Sequence, residues 1–210
     1  MSISAIILAA GQSRRMGQPK MLLPWGNTTV LGRVIETIQS AGIEDILVVT
    51  GGARAEVEKV AAEFNVRAVH NGNFEYGEML ASVQLGLQAL LPPSSQRDAS
   101  PIFFENGGER VGALICLGDQ PQVKERSVRV VCEMFLAQRS SIVVPSYQMR
   151  RGHPWLIARE LWGEVLQMRE TESMRDFLNK HGDDIYYIEH DSPDILQDLD
   201  TPDDYLKHKP

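Results

Sequence analysis

The residues best suited to chemistry fall into three clusters, one basic and two acidic, and the first two stand beside a glycine. The first cluster is Leu8-Ala9-Ala10-Gly11-Gln12-Ser13-Arg14-Arg15-Met16-Gly17-Gln18-Pro19-Lys20. Glycine lets a backbone approach a ligand closely and turn its N–H groups inward. Arg15 adds a fork of donors and Lys20 a point charge. Such a loop suits a polyphosphate, although a solvated basic loop would share its composition. It contains neither the Gly-Lys-Ser/Thr triplet of a P-loop nor the Gly-x-Gly-x-x-Gly dinucleotide fingerprint. The second cluster is Gly118-Asp119-Gln120-Pro121, which follows the apolar run Val111 to Leu117. A carboxylate at the tip of a buried strand is costly unless it has a partner. Mg²⁺ held against a triphosphate would be one, since it takes one or two carboxylates plus phosphate oxygens and water. A turn or helix N-cap is the other reading of Asp119. The third cluster is Asp198-Leu199-Asp200-Thr201-Pro202-Asp203-Asp204. Read as a short strand, it turns Asp198 and Asp200 to opposite faces, so only one can face a metal. Asp200 or Thr201 ahead of Pro202 also suits a helix start, with Asp203 and Asp204 in the first turn.

The elements that must position these clusters alternate between strand and helix. Continuous apolar or β-branched runs predict strands at Ile3 to Leu8, Asp45 to Thr50, Val66 to His70, Val111 to Leu117 and Ser141 to Pro145. Helical spacing joins Val30, Val34, Ile35 and Ile38, with Gly42 as the stop. Further helices are expected at Ala55 to Phe64, along Met79, Val83, Leu87 and Leu90, and at Val123 to Gln138. Two short ones are expected near Glu160 to Gln167 and Glu172 to Lys180. This alternation predicts an α/β fold of three layers, a mostly parallel sheet with helices on both faces. In such sheets ligands bind outside the carboxyl ends of the strands. Ala10-Gly11 and Gly118-Asp119 are the strand ends with unusual residues. Residues 91–110, rich in Pro, Ser and Gly, read as a mobile surface loop.

The length of 210 residues fits one domain spanning 1–210. The formal net charge of -7 argues against general affinity for nucleic acid, whose phosphates need a basic face. No apolar stretch is long enough to span a bilayer. The N-terminus lacks the basic region of a signal peptide, so a cytoplasmic location is expected. Cys116 and Cys132 read as small buried hydrophobes with no zinc or redox spacing. Trp155 and Trp162 read as core.

The run LAAGQSRRMGQPKMLL resembles the signature L-A-A-G-x-S-x-R-M-G-x-x-K-x-L-L of the MobA-like NTP transferases and matches each fixed position. Gly118-Asp119-Gln120-Pro121 is similar to that family's Gly-Asp-x-Pro. Asp198 to Asp204 is similar to its D-x-D-T-P-E-D ending, with Asp in place of Glu. The resemblance implies a Rossmann-like nucleotidyltransferase fold. It implies nucleotide contacts from Leu8, Ala9, Ala10, Gly11, Ser13, Arg15, Gly17 and Lys20. It makes Asp119 a metal ligand, with Asp200 favoured over Asp198 as the second, and Mg²⁺ the cofactor. Arg15, Lys20 and Asp119 would carry catalysis. The Ala9-Ala10 pair, where guanylyl-transferring relatives have Ala-Gly, leans toward CTP. His70 to Ser82 is similar to a segment that borders the nucleotide, which suggests Asn71 and Ser82. Asn71 could instead form a turn, and Ala81 stands where a serine is usual. Gly152-His153-Pro154 resembles a segment near the acceptor, so Gln120, Pro121, Gly152 and His153 are acceptor candidates. For His153 a structural turn is the competing reading. The acceptor implied is a phosphorylated pterin of the molybdenum-cofactor type, and a molybdoenzyme is a transient partner.

The expected reaction is attack by an acceptor phosphate oxygen on the α-phosphorus of the NTP. A phosphate monoester ionises for the second time near pH ~6, so the nucleophile needs no catalytic base. The work left to the protein is alignment and charge neutralisation. Other readings are an NTP transferase for a sugar phosphate or similar acceptor, and a non-catalytic accessory protein of molybdoenzyme maturation. A sugar-nucleotide glycosyltransferase fits less well, because it needs no triphosphate loop of this form.

Overall fold

A computed structural model describes residues 2–75, 79–92 and 109–210. The loop expected at 91–110 therefore lies outside the described residues from 93 to 108. So do Tyr76, Gly77 and Glu78 of the segment expected to border the nucleotide.

The strands form where the apolar runs are densest. They are β1 (Ser2–Ala9), β2 (Pro24–Trp25), β3 (Thr28–Thr29), β4 (Ile46–Thr50), β5 (Arg67–His70), β6 (Arg110–Leu117), β7 (Ile142–Tyr147), β8 (Arg150–Arg151), β9 (Trp155–Ala158) and β10 (Ile185–Glu189). The helices are α1 (Val30–Ser40), α2 (Arg54–Glu63), α3 (Met79–Leu90), α4 (Glu125–Gln138), α5 (Trp162–Gln167), α6 (Met174–Lys180) and α7 (Pro202–His208). Strand order across the main sheet is β10-β7-β9-β6-β1-β4-β5, with β8 paired to β7. β1 pairs in parallel with β4 and β6, as do β4 with β5 and β10 with β7. β9 runs antiparallel between β6 and β7.

The period-two alternation of β1 sorts the core into two halves. Ala5, Ile7 and Ala9 face α1, α2 and α4, whereas Ile6 and Leu8 face α3, α5 and α6. The sheet is thus covered on both sides, which is why its strands read as unbroken apolar runs. Trp162 is fully buried in the second half. Cys116 is buried and Cys132 half-buried, both as free thiols pushed up in pKa by burial, Cys132 to about 12.

Boundaries shift where side chains have other work. Asp45, expected in a strand, stays outside β4 and binds Ser4, Arg67 and Arg110 at the edge of the sheet opposite the glycine loop. Burial pushes its carboxyl up, but these partners outweigh that and hold it below the usual range. The extended segment around Asp198 and Asp200 is not a strand, contrary to expectation. Its backbone bonds once to the chain after β6, when the Leu199 N–H donates to the Asp119 carbonyl at 3.1 Å. Among the described residues, no helix is long and apolar enough to cross a membrane.

Candidate active site

Strand β1 delivers the glycine loop at the carboxyl edge of the sheet. Leu8 and Ala9 point into the two core halves and Ala10 is buried, so only their backbone can face a ligand. The loop folds on itself through Ser13, whose carbonyl accepts from Met16 N–H at 3.0 Å and Gly17 N–H at 3.1 Å. The Ser13 hydroxyl accepts from the Lys20 N–H at 3.0 Å and closes the loop. Gly17 adopts φ 73, a conformation glycine takes without steric cost. Met16 is buried with Leu23, Trp25, Val30 and Leu199, anchoring the loop to the C-terminal segment.

That anchor brings the charged clusters together. Leu199 is fully buried, and its neighbours Asp198 and Asp200 flank it at the site. The Lys20 ammonium binds Asp119 and lies 3.1 Å from Asp200. Asp200 also accepts from Arg15 at 2.8 Å, and Arg15 is otherwise mostly exposed. Burial works to lower the Lys20 pKa, but Asp119 and Asp200 outweigh it and hold the ammonium above its ordinary value. Asp198 accepts from the Gln120 amide at 2.7 Å. It lies on an open wall, yet atoms crowding its carboxyl strip enough water to raise its pKa. Asp119 and Asp200 push the same way. Two cations thus face three carboxylates. Thr201 caps α7 in a reciprocal capping box with Asp204, and Pro202 begins the helix, which fixes the chain just after Asp200.

The donor set fits a hard divalent cation. Asp119 and Asp200 already converge on one positive charge, and Asp198 leaves the cluster short of neutral. Among the described residues no group of three or more His, Cys, Asp or Glu forms a complete metal cage.

Two cavities open beside the residues that flank the ion-pair cluster, although Arg15, Lys20, Asp119 and Asp200 themselves line neither. One, of about 520 Å³, is lined by Gly11, Ser13, Gly17, Pro19, Gly52 and Phe74 among others. The other, of about 900 Å³, has Gln120, Asp198, Gly152, His153 and Trp155 on its wall. Gly152 must be glycine here, because a Cβ would come within 2.6 Å of the Ile195 carbonyl oxygen. His153 stacks on Trp155 with ring centres 4.1 Å apart, and its Nδ1 is 3.4 Å from the Ile115 carbonyl. Burial lowers its pKa to about 4, the carbonyl opposing only weakly, so the ring is neutral at pH 7. Trp155, read as core, also lines this cavity.

Other sequence candidates stand apart. Asn71 is buried, donates to the Ser82 hydroxyl at 3.1 Å and accepts from the Asn73 N–H. The two side chains serve each other and line neither cavity. Pro121 is buried and lines neither cavity. Gly52 and Phe74, which sequence reasoning passed over, form a wall of the smaller cavity. The Gly51-Gly52 pair after β4 was the available signal, being a third glycine-marked strand end.

Residues 5–185 match the MobA-like NTP transferase domain. The chain is 27% identical over 209 residues to the molybdenum cofactor cytidylyltransferase of Escherichia coli (strain K12), covering 99% of this chain and 96% of that one. It superposes on the crystal structure of Rv0371c from Mycobacterium tuberculosis H37Rv with a TM-score of 0.79 at 26% identity, covering 99% and 97% of the two chains. The manganese complex of Rv0371c gives 0.73 at 25% identity, with the same coverage of each chain. The matched domain spans β1 through the start of β10 and contains both the glycine loop and Asp119, so the chain belongs to the MobA-like NTP transferase family.

Proposed function

We propose that this protein transfers CMP from CTP to a phosphorylated pterin cofactor of the molybdenum-cofactor type, releasing pyrophosphate with Mg²⁺. The observation that carries this reading is the Lys20 ammonium held by Asp119 and Asp200 where the glycine loop meets the end of β6. The smaller cavity, walled by glycine backbone, suits the nucleotide. The larger suits the acceptor. The Ala9-Ala10 pair and the near full-length likeness to a cytidylyltransferase support CTP.

Backbone N–H groups of the loop from Gly11 to Arg15 would hold the triphosphate, and Arg15 and Lys20 would neutralise it. Asp119 and Asp200 would hold Mg²⁺, which when bound supplies charge neutralisation at the phosphate oxygens and the leaving pyrophosphate. An ionised acceptor phosphate oxygen then forms the new P–O bond at the α-phosphorus as the bond to pyrophosphate breaks. His153 takes no proton in this scheme. Its neutral ring shapes the acceptor wall beside Gln120 and Gly152. A reaction that consumes NTP belongs in the cytoplasm, where a molybdoenzyme could receive the product.

Pyrophosphate release tests the reading, with CTP, GTP, ATP and UTP compared in the presence of molybdenum-loaded pterin cofactor. Release with CTP alone is expected. A sugar phosphate replacing the pterin at equal rate would overturn the acceptor. Tight nucleotide binding without release from any pair would make the protein a carrier.

A further inference from the structure

The larger cavity has a second charged feature at its far end. Arg151, on β8, donates from Nε to the Tyr187 hydroxyl at 2.9 Å and from Nη1 to Asn179 Oδ1 at 2.8 Å. Its guanidinium carbon lies 5.8 Å from the centre of the Tyr187 ring. Arginine has five N–H donors, and these bonds occupy two, leaving three on a fork that is already oriented. Arg151 and Asn179 both line the cavity, as do Arg150 and Arg175 and the acids Asp176 and Asp198. In a chain of net charge -7, three arginines around one cavity are a local feature.

This fork is remote from the reacting centre. Ser146 of β7 pairs with β10 on one side and with Arg151 on the other, so β8 continues the line of β9, and Arg151 reaches over β7 to Tyr187 on β10. Asp119 follows β6, two strand spacings from β7, or about 10 Å. β8 pairs with the carboxyl-terminal half of β7 through Ser146 and Arg151, so the fork sits at the same edge of the sheet as Asp119. A phosphate reacting beside Asp119 cannot also sit on Arg151.

We infer that Arg151 is a specificity-determining residue that anchors the far end of an elongated acceptor. That acceptor carries its reacting phosphate at one end. At the other, on the order of 10 Å away by the strand spacing, it presents an anionic or carbonyl edge with two hydrogen-bond acceptor atoms. Tyr187 is a positioning residue, because it holds the fork and does not itself line the cavity, whereas Asn179 both holds the fork and lines the cavity. The inference rests on the acceptor assignment of the larger cavity and adds the length and remote chemistry of what fills it. A compact sugar phosphate meets only one of the two anchors.

Calorimetric binding of two probes to the full chain tests this without turnover. One is ω-phosphohexanoate, with phosphate and carboxylate at opposite ends, and the other is hexyl phosphate, which lacks the carboxylate. Wild type should prefer the first by about tenfold, as expected for a charge-assisted bidentate contact. Arg151→Ala should remove the preference while leaving hexyl phosphate and CTP affinity unchanged. Arg151→Lys should keep part of it, and Tyr187→Phe should weaken it. Intact CTP binding shows that the variants are folded. No preference in wild type, no binding of either probe, or an undiminished preference in Arg151→Ala would each overturn the inference. Pyrophosphate release is read separately: discrimination between probes without transfer would sink the proposed reaction and leave the anchor standing.

Discussion

Replacing Lys20 with Met tests how the site balances its charge. The Lys20 side chain is 11% exposed, Asp119 14% and Asp200 33%. At an effective dielectric of about 20, one pair of charges 3.1 Å apart attracts by about 5 kcal/mol. Burial of the ammonium offsets much of that, and removing one partner of a buried pair costs about 3–5 kcal/mol. The exposed side of Asp200 places the expected loss near the lower end, about 3 kcal/mol. Urea unfolding of wild type and Lys20→Met at pH 7.5 (about three units below the ordinary Lys pKa) reads this directly. Turnover should fall to background, because the triphosphate loses its buried cation. Yet Asp119 and Asp200 are then freed for another cation, so nucleotide-free Mn²⁺ should bind the variant about tenfold or more tightly than wild type. Free Mn²⁺ is measured by electron paramagnetic resonance. A stability loss under about 1 kcal/mol, or Mn²⁺ affinity no greater than in wild type, would refute the charge balance described here.

Three further perturbations probe other parts of the site. His153 should contribute a pH dependence of stability with a defined sign. Its folded pKa of about 4 is below the ordinary 6.5, so the unfolded chain binds the proton first and stability falls as pH drops from 6.5 toward 4. The shift corresponds to about 3 kcal/mol. Unfolding from pH 7 to 4 should lose this component in His153→Gln, while the neutral-pH rate of the variant stays within a few-fold of wild type. Gly152→Ala places a Cβ 2.6 Å from the Ile195 carbonyl oxygen. It should cost about 1–3 kcal/mol and raise acceptor KM with CTP affinity preserved, as read by steady-state kinetics and calorimetry. Leu199→Ala empties a fully buried position between the two carboxylates and should cost about 2–5 kcal/mol in urea unfolding. It should also weaken Mn²⁺ binding in the presence of CTP, although no metal-facing atom is changed.

The sequence made the parallel half of the fold legible and left the antiparallel part obscure. β1, β4 and β6 are buried on both faces, so their unbroken apolar runs stand out. β9 is a four-residue run, Trp155–Ala158, bounded by Pro154 and a turn, too short for any period to register. β10 has a single buried residue, Ile185, followed by half-buried and exposed ones, a signal easily lost beside two short helices. Site residues were legible where charge stood beside glycine at a strand end, as at Gly11 to Lys20 and Asp119. Distance in sequence hid the rest. Nothing local shows that Leu199 fills the same small core as Met16, or that this shared core sets Asp200 against Lys20. Arg151 was invisible for the same reason, since its partners Asn179 and Tyr187 come from two later elements.

The most direct measurement follows the label from CTP carrying ³²P at the α position, with Mg²⁺ and molybdenum-loaded pterin cofactor, in wild type and Asp119→Asn. Attack at the α-phosphorus within the site built here predicts label in the pterin product, unlabelled pyrophosphate in equal amount, and loss of both in the variant. Label remaining in free CMP, or transfer that survives Asp119→Asn, would contradict it.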